Sequence, residues 1–515
     1  MPRFVGSLEA RLVAGRLSTW AMAAIGIAAV TPMSVVAAGI PLGFGQVKQL
    51  GIPASYALVA LVLAVFVVGL SAMARHVPNS GAFYSYVAAG LSRPLAVGMG
   101  GVALVAYGAM NIGLYGAFGV AAAAAMRLFG VDTGWRVMVF AAWLAIAVFS
   151  QLRTRRNAHI LGVFITAEVA IVVLFSAVML THPANGTVSF AALNPVLLAS
   201  AEGAGTLVGA IAGLVGFEVP LAFALLARDP KRTPRRAITL ILLVVGVLYA
   251  GSAWAMTVIA GPDTIIAVAG KHPTDLFFYL VAPHLPTAVM SLAVMLFATS
   301  LFAAILAFQS TVARYALTLG REGVLPAWLA RTRADEVPVT ASAAQSAVAL
   351  VALGVAVLLD LDPTRDLFFY GTVAGGIGVL ILMGAAAVAV IRFFHRHPHA
   401  ENLWRRRVAP TASAAFLLTI LALTVAYFGE LVGSTNPIKV WTPITVYLAV
   451  IAVGAGWAVY LRSRRPEVYA VIGHGDRAAL QHPVSPGLIP NPPRGAHSRD
   501  RNGSDTSGRN SYLNR

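Results

Sequence analysis

The sequence predicts an all-α polytopic membrane protein with twelve transmembrane helices, arranged as a five-plus-five inverted repeat and two additional helices. Three observations carry this expectation. Of the 515 residues, 58% are hydrophobic and only 11% charged, whereas soluble proteins are roughly 25% charged and single soluble cores stop growing at roughly 250–300 residues. Twelve stretches match the roughly 20 apolar residues that a membrane-crossing helix needs. Two of them, five places apart, are interrupted near their middles by Pro and Gly.

The stretches fall at about 18–42, 54–75, 94–126, 135–152, 158–180, 204–227, 237–260, 286–319, 338–359, 366–394, 411–433 and 440–461. They divide the chain into a cytoplasmic amino-terminal segment 1–17, a first five-helix repeat 18–180, a second repeat 204–394, two additional helices 411–461 and a tail 463–515. The tail is rich in Pro, Gly, Ser, Asn and Arg without apolar periodicity, and is expected to be disordered.

The net charge of +17 is distributed by side. With the amino terminus placed in the cytoplasm and the loops alternating, 31 of the 37 Lys and Arg fall inside, leaving Lys48, Arg127, Arg136, Lys271, Arg365 and Lys439 outside. This is the positive-inside asymmetry. It supports twelve spans and both termini in the cytoplasm, and it accounts for the basic composition without a nucleic-acid partner, since the arginines are not interleaved with stacking aromatics. The Ala- and Arg-rich, cysteine-free composition looks bacterial, which points to the inner membrane. With no cysteine, disulfides and cysteine metal sites are excluded. No phosphate-binding loop, zinc-protease motif or nucleophile elbow occurs, so neither an enzyme, nor a cofactor, nor an ATP-driven pump is expected. His395, His397 and His399 read as a solvated loop, because no carboxylate or cysteine ligand accompanies them.

Span one carries Thr31, Pro32, Met33 and Ser34 between Gly26 and Gly39, and span six carries Gly205, Gly209, Gly213, Gly216 and Pro220. Proline removes a backbone donor and glycine permits unwinding. Backbone groups freed in this way are tolerated in a bilayer only against protein or a water-filled cavity. Spans one and six cross in opposite directions, as the two halves of an inverted repeat require, and paired interruptions of this kind point to a transporter binding site. Half-helix amino termini attract a carboxylate and freed carbonyls attract an ammonium, so a zwitterionic amino acid would satisfy both. The alternative is a simple kink at Pro32 and close helix packing at the span-six glycines.

Two acidic residues lie well inside spans, Glu168 in span five and Glu218 in span six. A charge at such depth costs several kcal/mol unless paired, hydrated or protonated. A carboxyl there can take a proton on one side and release it on the other, so both are candidates for proton coupling. Each could instead be a neutral acid bonded to freed backbone. Asn111 of span three, with Tyr107 and Tyr115 at helical spacing, either contacts substrate or bonds across helices.

Four segments resemble amino acid permeases of the amino acid–polyamine–organocation (APC) superfamily. They are Pro78-Asn79-Ser80-Gly81-Ala82-Phe83-Tyr84-Ser85-Tyr86-Val87 before span three, Gly216-Phe217-Glu218 in span six, the basic loop from Asp229 through Arg232 to Ile238, and Ala313-Arg314-Tyr315-Ala316 followed by Gly320-Arg321-Glu322-Gly323-Val324-Leu325-Pro326. The resemblance implies the five-plus-five (LeuT/APC-type) fold and secondary transport of an amino acid or related amine, coupled to protons or to sodium, by alternating access around spans one and six. It further implies that Thr31, Pro32, Met33, Ser34 and Val35, with Gly213, Gly216 and Phe217, hold the substrate's carboxylate and ammonium. It places Asn111 toward substrate, with Tyr107 beside it as a further substrate-binding candidate by its helical spacing, and Glu218 at a gating and proton-responsive position. The family's Gly-Ser-Gly in span one is replaced here by Thr31-Pro32-Met33-Ser34, and Ala212 stands where an arginine transporter of the family has an aromatic gate. Span five lacks the lysine some members use, and Glu168 is its only acidic residue. An uncoupled exchanger or facilitator of the same fold, and a transporter-like membrane sensor acting through its tail, are the alternatives.

Overall fold

The computed structural model describes residues 17–77, 82–152, 154–229, 232–272, 275–333, 337–398 and 401–475. Most of the amino-terminal segment, residues 78–81 and 230–231 of the family-like motifs, His399 and residues 476–515 lie outside the described residues. The described chain is helical throughout, with one isolated backbone bridge, Leu17 to Ala227.

Among the described residues, eleven helices are long and apolar enough to cross a membrane. They are Thr19–Val47, Ile52–His76, Arg93–Arg127, Gly162–Thr181, Gly205–Ala224, Thr233–Ala260, Thr287–Arg321, Val339–Leu358, Pro363–Arg396, Trp404–Ala426 and Pro437–Arg464. They coincide with eleven of the predicted spans, and the span numbers are kept below. The predicted fourth span is the 15-residue helix Trp135–Phe149, only about 22 Å long against a hydrocarbon core of about 30 Å. The count of twelve therefore does not follow from helix length alone.

Helix starts follow local chemistry. The Ser18, Ser92 and Ser200 hydroxyls accept from Ala21, Leu95 and Gly203 amides, filling N-cap positions that otherwise leave orphan donors. Pro94 and Pro437 sit in the first turns of spans three and twelve, where a missing N–H has no consequence.

Burial sorts the helices into centre and rim. The apolar windows of spans one and six are 89% and 83% buried, that of span twelve only 17%, so the two interrupted spans form the centre of the bundle. Span three packs against spans eight, ten and twelve, and span two against span seven. Small residues permit the close approaches: a Cβ added to Gly454 of span twelve would sit 2.7 Å from the Gly98 Cα of span three. The rim exposes large apolar side chains such as Leu61, Val247 and Val453, as a lipid-facing surface requires.

The first residues of the expected tail are ordered: span twelve continues to Arg464 and a short helix, Pro466–Val471, folds back against the bundle. Its anchor is the Glu322 carboxylate beyond span eight, which accepts from the Gly473 amide at 3.1 Å and from the Gly475 amide and the Tyr84 hydroxyl. Burial and the Glu322 charge push the Tyr84 phenol above its ordinary value, which keeps it a donor. Arg93 adds a bond to the Ala470 carbonyl at 3.0 Å. A distant buried acceptor thus orders a segment whose local composition favours disorder.

Candidate substrate site

The interruption of span one lies at Thr31, which takes a left-handed conformation (φ 54°, ψ 63°), an outlier for a β-branched residue. Its amide closes the first half-helix by donating to the Ile27 and Ala28 carbonyls at 3.1 and 3.2 Å. Pro32 then opens the second half at a position where proline fits. The Val30 carbonyl at the broken end accepts from the Tyr249 hydroxyl of span seven at 2.7 Å.

In span six the regular helix ends at Leu214, and the chain resumes as a tight 3-10 helix, Val219–Leu226, with Pro220 in its first turn. Between them Gly216 adopts φ +112°, which favours glycine. A Cβ there would meet the Ala29 carbonyl carbon at 2.7 Å and the Val30 nitrogen at 2.9 Å. Gly216 is thus the point where the two interruptions touch backbone to backbone.

A cavity lies beside this contact. Its wall includes Thr31, Ser34 and Val35 of span one and Gly213 and Val215 of span six, with Tyr56, Met110, Leu114, Phe308 and Thr372 from spans two, three, eight and ten. It extends to Gln46, Gly205 and Phe369, at the ends of spans one, six and ten away from the arginine-rich loops. Toward the arginine-rich side the path is closed: the Leu17 amide donates to Leu226 and the Arg228 amide to Leu17, at 3.0 and 3.1 Å. Among the described residues lining the cavity none is charged. The Ser34 hydroxyl is buried without a partner among the described residues.

Of the expected substrate residues, Thr31, Ser34, Val35 and Gly213 line the cavity. Pro32, Met33, Gly216 and Phe217 are buried just behind it, shaping the interruptions. Tyr107 and Asn111 are also buried and off the wall. The Asn111 amide donates to the Ile305 carbonyl of span eight at 2.8 Å and accepts from Gln345 at 3.3 Å, the cross-helix bonding that the sequence left open. Tyr107 donates to Glu218 Oε1 at 2.7 Å, and Glu218 Oε2 accepts from the Gly216 amide at 3.0 Å. Neither oxygen of Glu168 in span five meets hydrogen-bond geometry with a partner among the described residues. Tyr56, Met110, Phe308 and Thr372 were not anticipated. Tyr56 carried a faint signal, as a lone phenol in an Ala-, Val- and Leu-rich helix.

Broken helices crossing at a closed-ended cavity inside an apolar bundle define a secondary transporter. The sequence matches the amino acid permease family over residues 17–453, and the chain belongs to that family. No curated protein matches it. Among solved structures it is similar to a manganese transporter of Eremococcus coleocola, crystallised with an aromatic bis-isothiourea substituted compound, with 12% identity, TM-score 0.52 and coverage of 86% of this chain and 94% of that one. It is also similar to a Na+-coupled sialic acid symporter in a substrate-bound outward-open state, with 12% identity, TM-score 0.50 and coverage of 80% and 90%. At this identity the likeness establishes the fold, the five-plus-five inverted repeat, in a multi-pass membrane protein.

Proposed function

We propose that the protein carries an amino acid or related amine with an uncharged side chain, coupled to protons, by alternating access around the interruptions of spans one and six. The observation that carries this is the cavity between those interruptions: it offers helix ends and the Ser34 hydroxyl, and, among the described residues, no charged side chain. Half-helix amino termini suit the carboxylate and freed carbonyls the ammonium. With no carboxylate or guanidinium in the wall, a charged substrate side chain would be desolvated without a partner, at a cost of several kcal/mol. Arginine, polyamines and glutamate are therefore disfavoured.

In this reading Glu218 and Glu168, both buried beside the moving helices, carry the proton. All twelve stretches cross the inner membrane of a bacterium, with the arginine-rich ends and both termini in the cytoplasm. The lipid bilayer is the only other partner this reading needs.

The test is a thermal-shift screen of the purified protein followed by proteoliposome uptake. Apolar amino acids at about 100 times Kd are expected to stabilise by about 2.7 kcal/mol, and arginine and glutamate by nothing measurable. Uptake should follow an imposed proton gradient, collapse with an uncoupler and ignore replacement of sodium by choline. Uptake that survives the uncoupler would instead identify an exchanger or facilitator. A screen without any amino acid response would defeat the substrate reading.

A further inference from the structure

We propose that the groove between spans two and seven is a binding site for one anionic phospholipid, with its phosphate among arginines at the basic end and an acyl chain running down the helix pair. At that end Arg75 of span two and Arg232, Arg235 and Arg236 at the start of span seven surround a recess floored by Ser71 and Thr239. A second, apolar groove continues from it, and the two share Arg235, Thr239 and Leu243 in their walls. The floor of the second groove is made of small residues facing one another, Ala57, Ala60 and Ala64 on span two and Gly246, Ala250 and Gly251 on span seven. The approach is close: a Cβ on Gly246 would lie 2.7 Å from the Ala60 Cβ. Leu61, Leu243 and Val247 stand exposed along its edges.

The dimensions fit one leaflet. From Arg235 to Gly246 the helix advances roughly 16 Å, about half of a hydrocarbon core of about 30 Å. A basic recess that continues as an apolar channel matches an amphiphile with an anionic head, and basic pockets between helices at that level attract anionic lipid head groups. The arginines are not all consumed by the protein. Arg75 pairs with Glu401 at 2.5 Å, and Arg232 lies 3.8 Å from Asp229. Arg235 and Arg236 are exposed, and no ion pair engages either among the described residues. Those two supply the unneutralised charge that distinguishes an anionic head group from a zwitterionic one. Arginine also presents the fork geometry suited to phosphate oxygens.

The full-length protein in mild detergent, titrated with phosphatidylglycerol or with phosphatidylcholine of identical acyl chains and read by native mass spectrometry, tests this. The anionic lipid should be retained at least tenfold more strongly. Replacing both Arg235 and Arg236 by Ala should weaken its retention by about thirtyfold, each charge lost leaving roughly one fifth of the affinity. Replacing both by Lys should restore most of it. Ala64→Trp fills the channel with the arginines intact and should also weaken retention, which keeps the proposal testable if the double Ala variant fails to fold. Millimolar inorganic phosphate should not displace the lipid. Equal retention of the two lipids by the native protein, indifference to the double Ala or Ala64→Trp variants, or displacement by phosphate, which would mark a soluble-anion site, each overturns it.

Discussion

Replacing Glu218 tests the polar centre of the bundle in a way that separates shape, hydrogen bonding and charge. Glu218 is 2% exposed and Tyr107 1% exposed, so water cannot replace a lost partner. The carboxylate accepts from the Tyr107 hydroxyl at 2.7 Å and the Gly216 amide at 3.0 Å. Glu218→Ala leaves both donors buried and unpaired, at about 1–3 kcal/mol each, for a loss of about 2–6 kcal/mol. Glu218→Gln should lose less than about 1 kcal/mol, because its amide oxygen can accept from Gly216 while its N–H donates to the Tyr107 oxygen, a hydroxyl being able to accept as well as donate. Tyr107→Phe removes one donor without orphaning the amide. In the double variant Tyr107→Phe with Glu218→Ala only Gly216 stays unpaired, so the double variant should lose about 1–2 kcal/mol less than the sum of its singles. Unfolding in detergent, followed by intrinsic fluorescence across all four variants, measures this. A Gln variant as unstable as the Ala variant, or strict additivity, would refute the assigned bonding.

Gly216→Ala places a Cβ against the span-one backbone, 2.7 Å from the Ala29 carbonyl carbon, at a φ of +112°. It should cost at least about 2 kcal/mol of stability and abolish uptake, seen together in melts and proteoliposomes. Ser34→Ala removes an unpartnered buried hydroxyl; melting should be unchanged or slightly higher while apparent substrate affinity falls about tenfold. Glu168→Leu replaces a carboxyl with no partner among the described residues and should raise stability by about 1–3 kcal/mol, while the pH dependence of uptake flattens. Glu322→Ala leaves the Tyr84 hydroxyl and the Gly473 and Gly475 amides without this acceptor, and should make the segment after Arg464 sensitive to limited proteolysis.

The interruptions were legible because proline and glycine act on the backbone locally: Pro32, Gly216 and Pro220 break helices wherever they sit in the bundle. The conformation of Thr31 was not, since a β-branched residue with positive φ contradicts its own preference and is held there by the surrounding packing. The cavity face of span three was also hidden. Met110 and Leu114 line the wall while Asn111 turns away to span eight, a rotation of about one residue on the helix. In a soluble helix amphipathicity would fix that rotation. Here lipid, cavity and neighbouring helices are all apolar, so the pattern carries little directional signal. The order of the residues up to Gly475 was hidden for another reason, because the group that holds them is Glu322, distant in sequence.

The placement of the two glutamates constrains how proton coupling, as proposed, would operate. Neither lines the cavity, so the proton and the substrate would not share a ligand, and coupling would have to pass through the backbone. Glu218 is suited to that. One of its oxygens holds the Gly216 amide at 3.0 Å, and Gly216 is the residue that abuts Ala29 and Val30 of the other interrupted span. Protonating the carboxylate would weaken the bond, since the oxygen of a neutral acid accepts less strongly than that of a carboxylate, and would loosen the contact between the two interruptions. Glu218→Gln mimics the protonated state, so it should exchange substrate across the membrane at a rate independent of pH while losing accumulation against a gradient. Counterflow and net uptake measured on the same proteoliposomes distinguish these: if accumulation persists in the Gln variant, the proton does not act through Gly216.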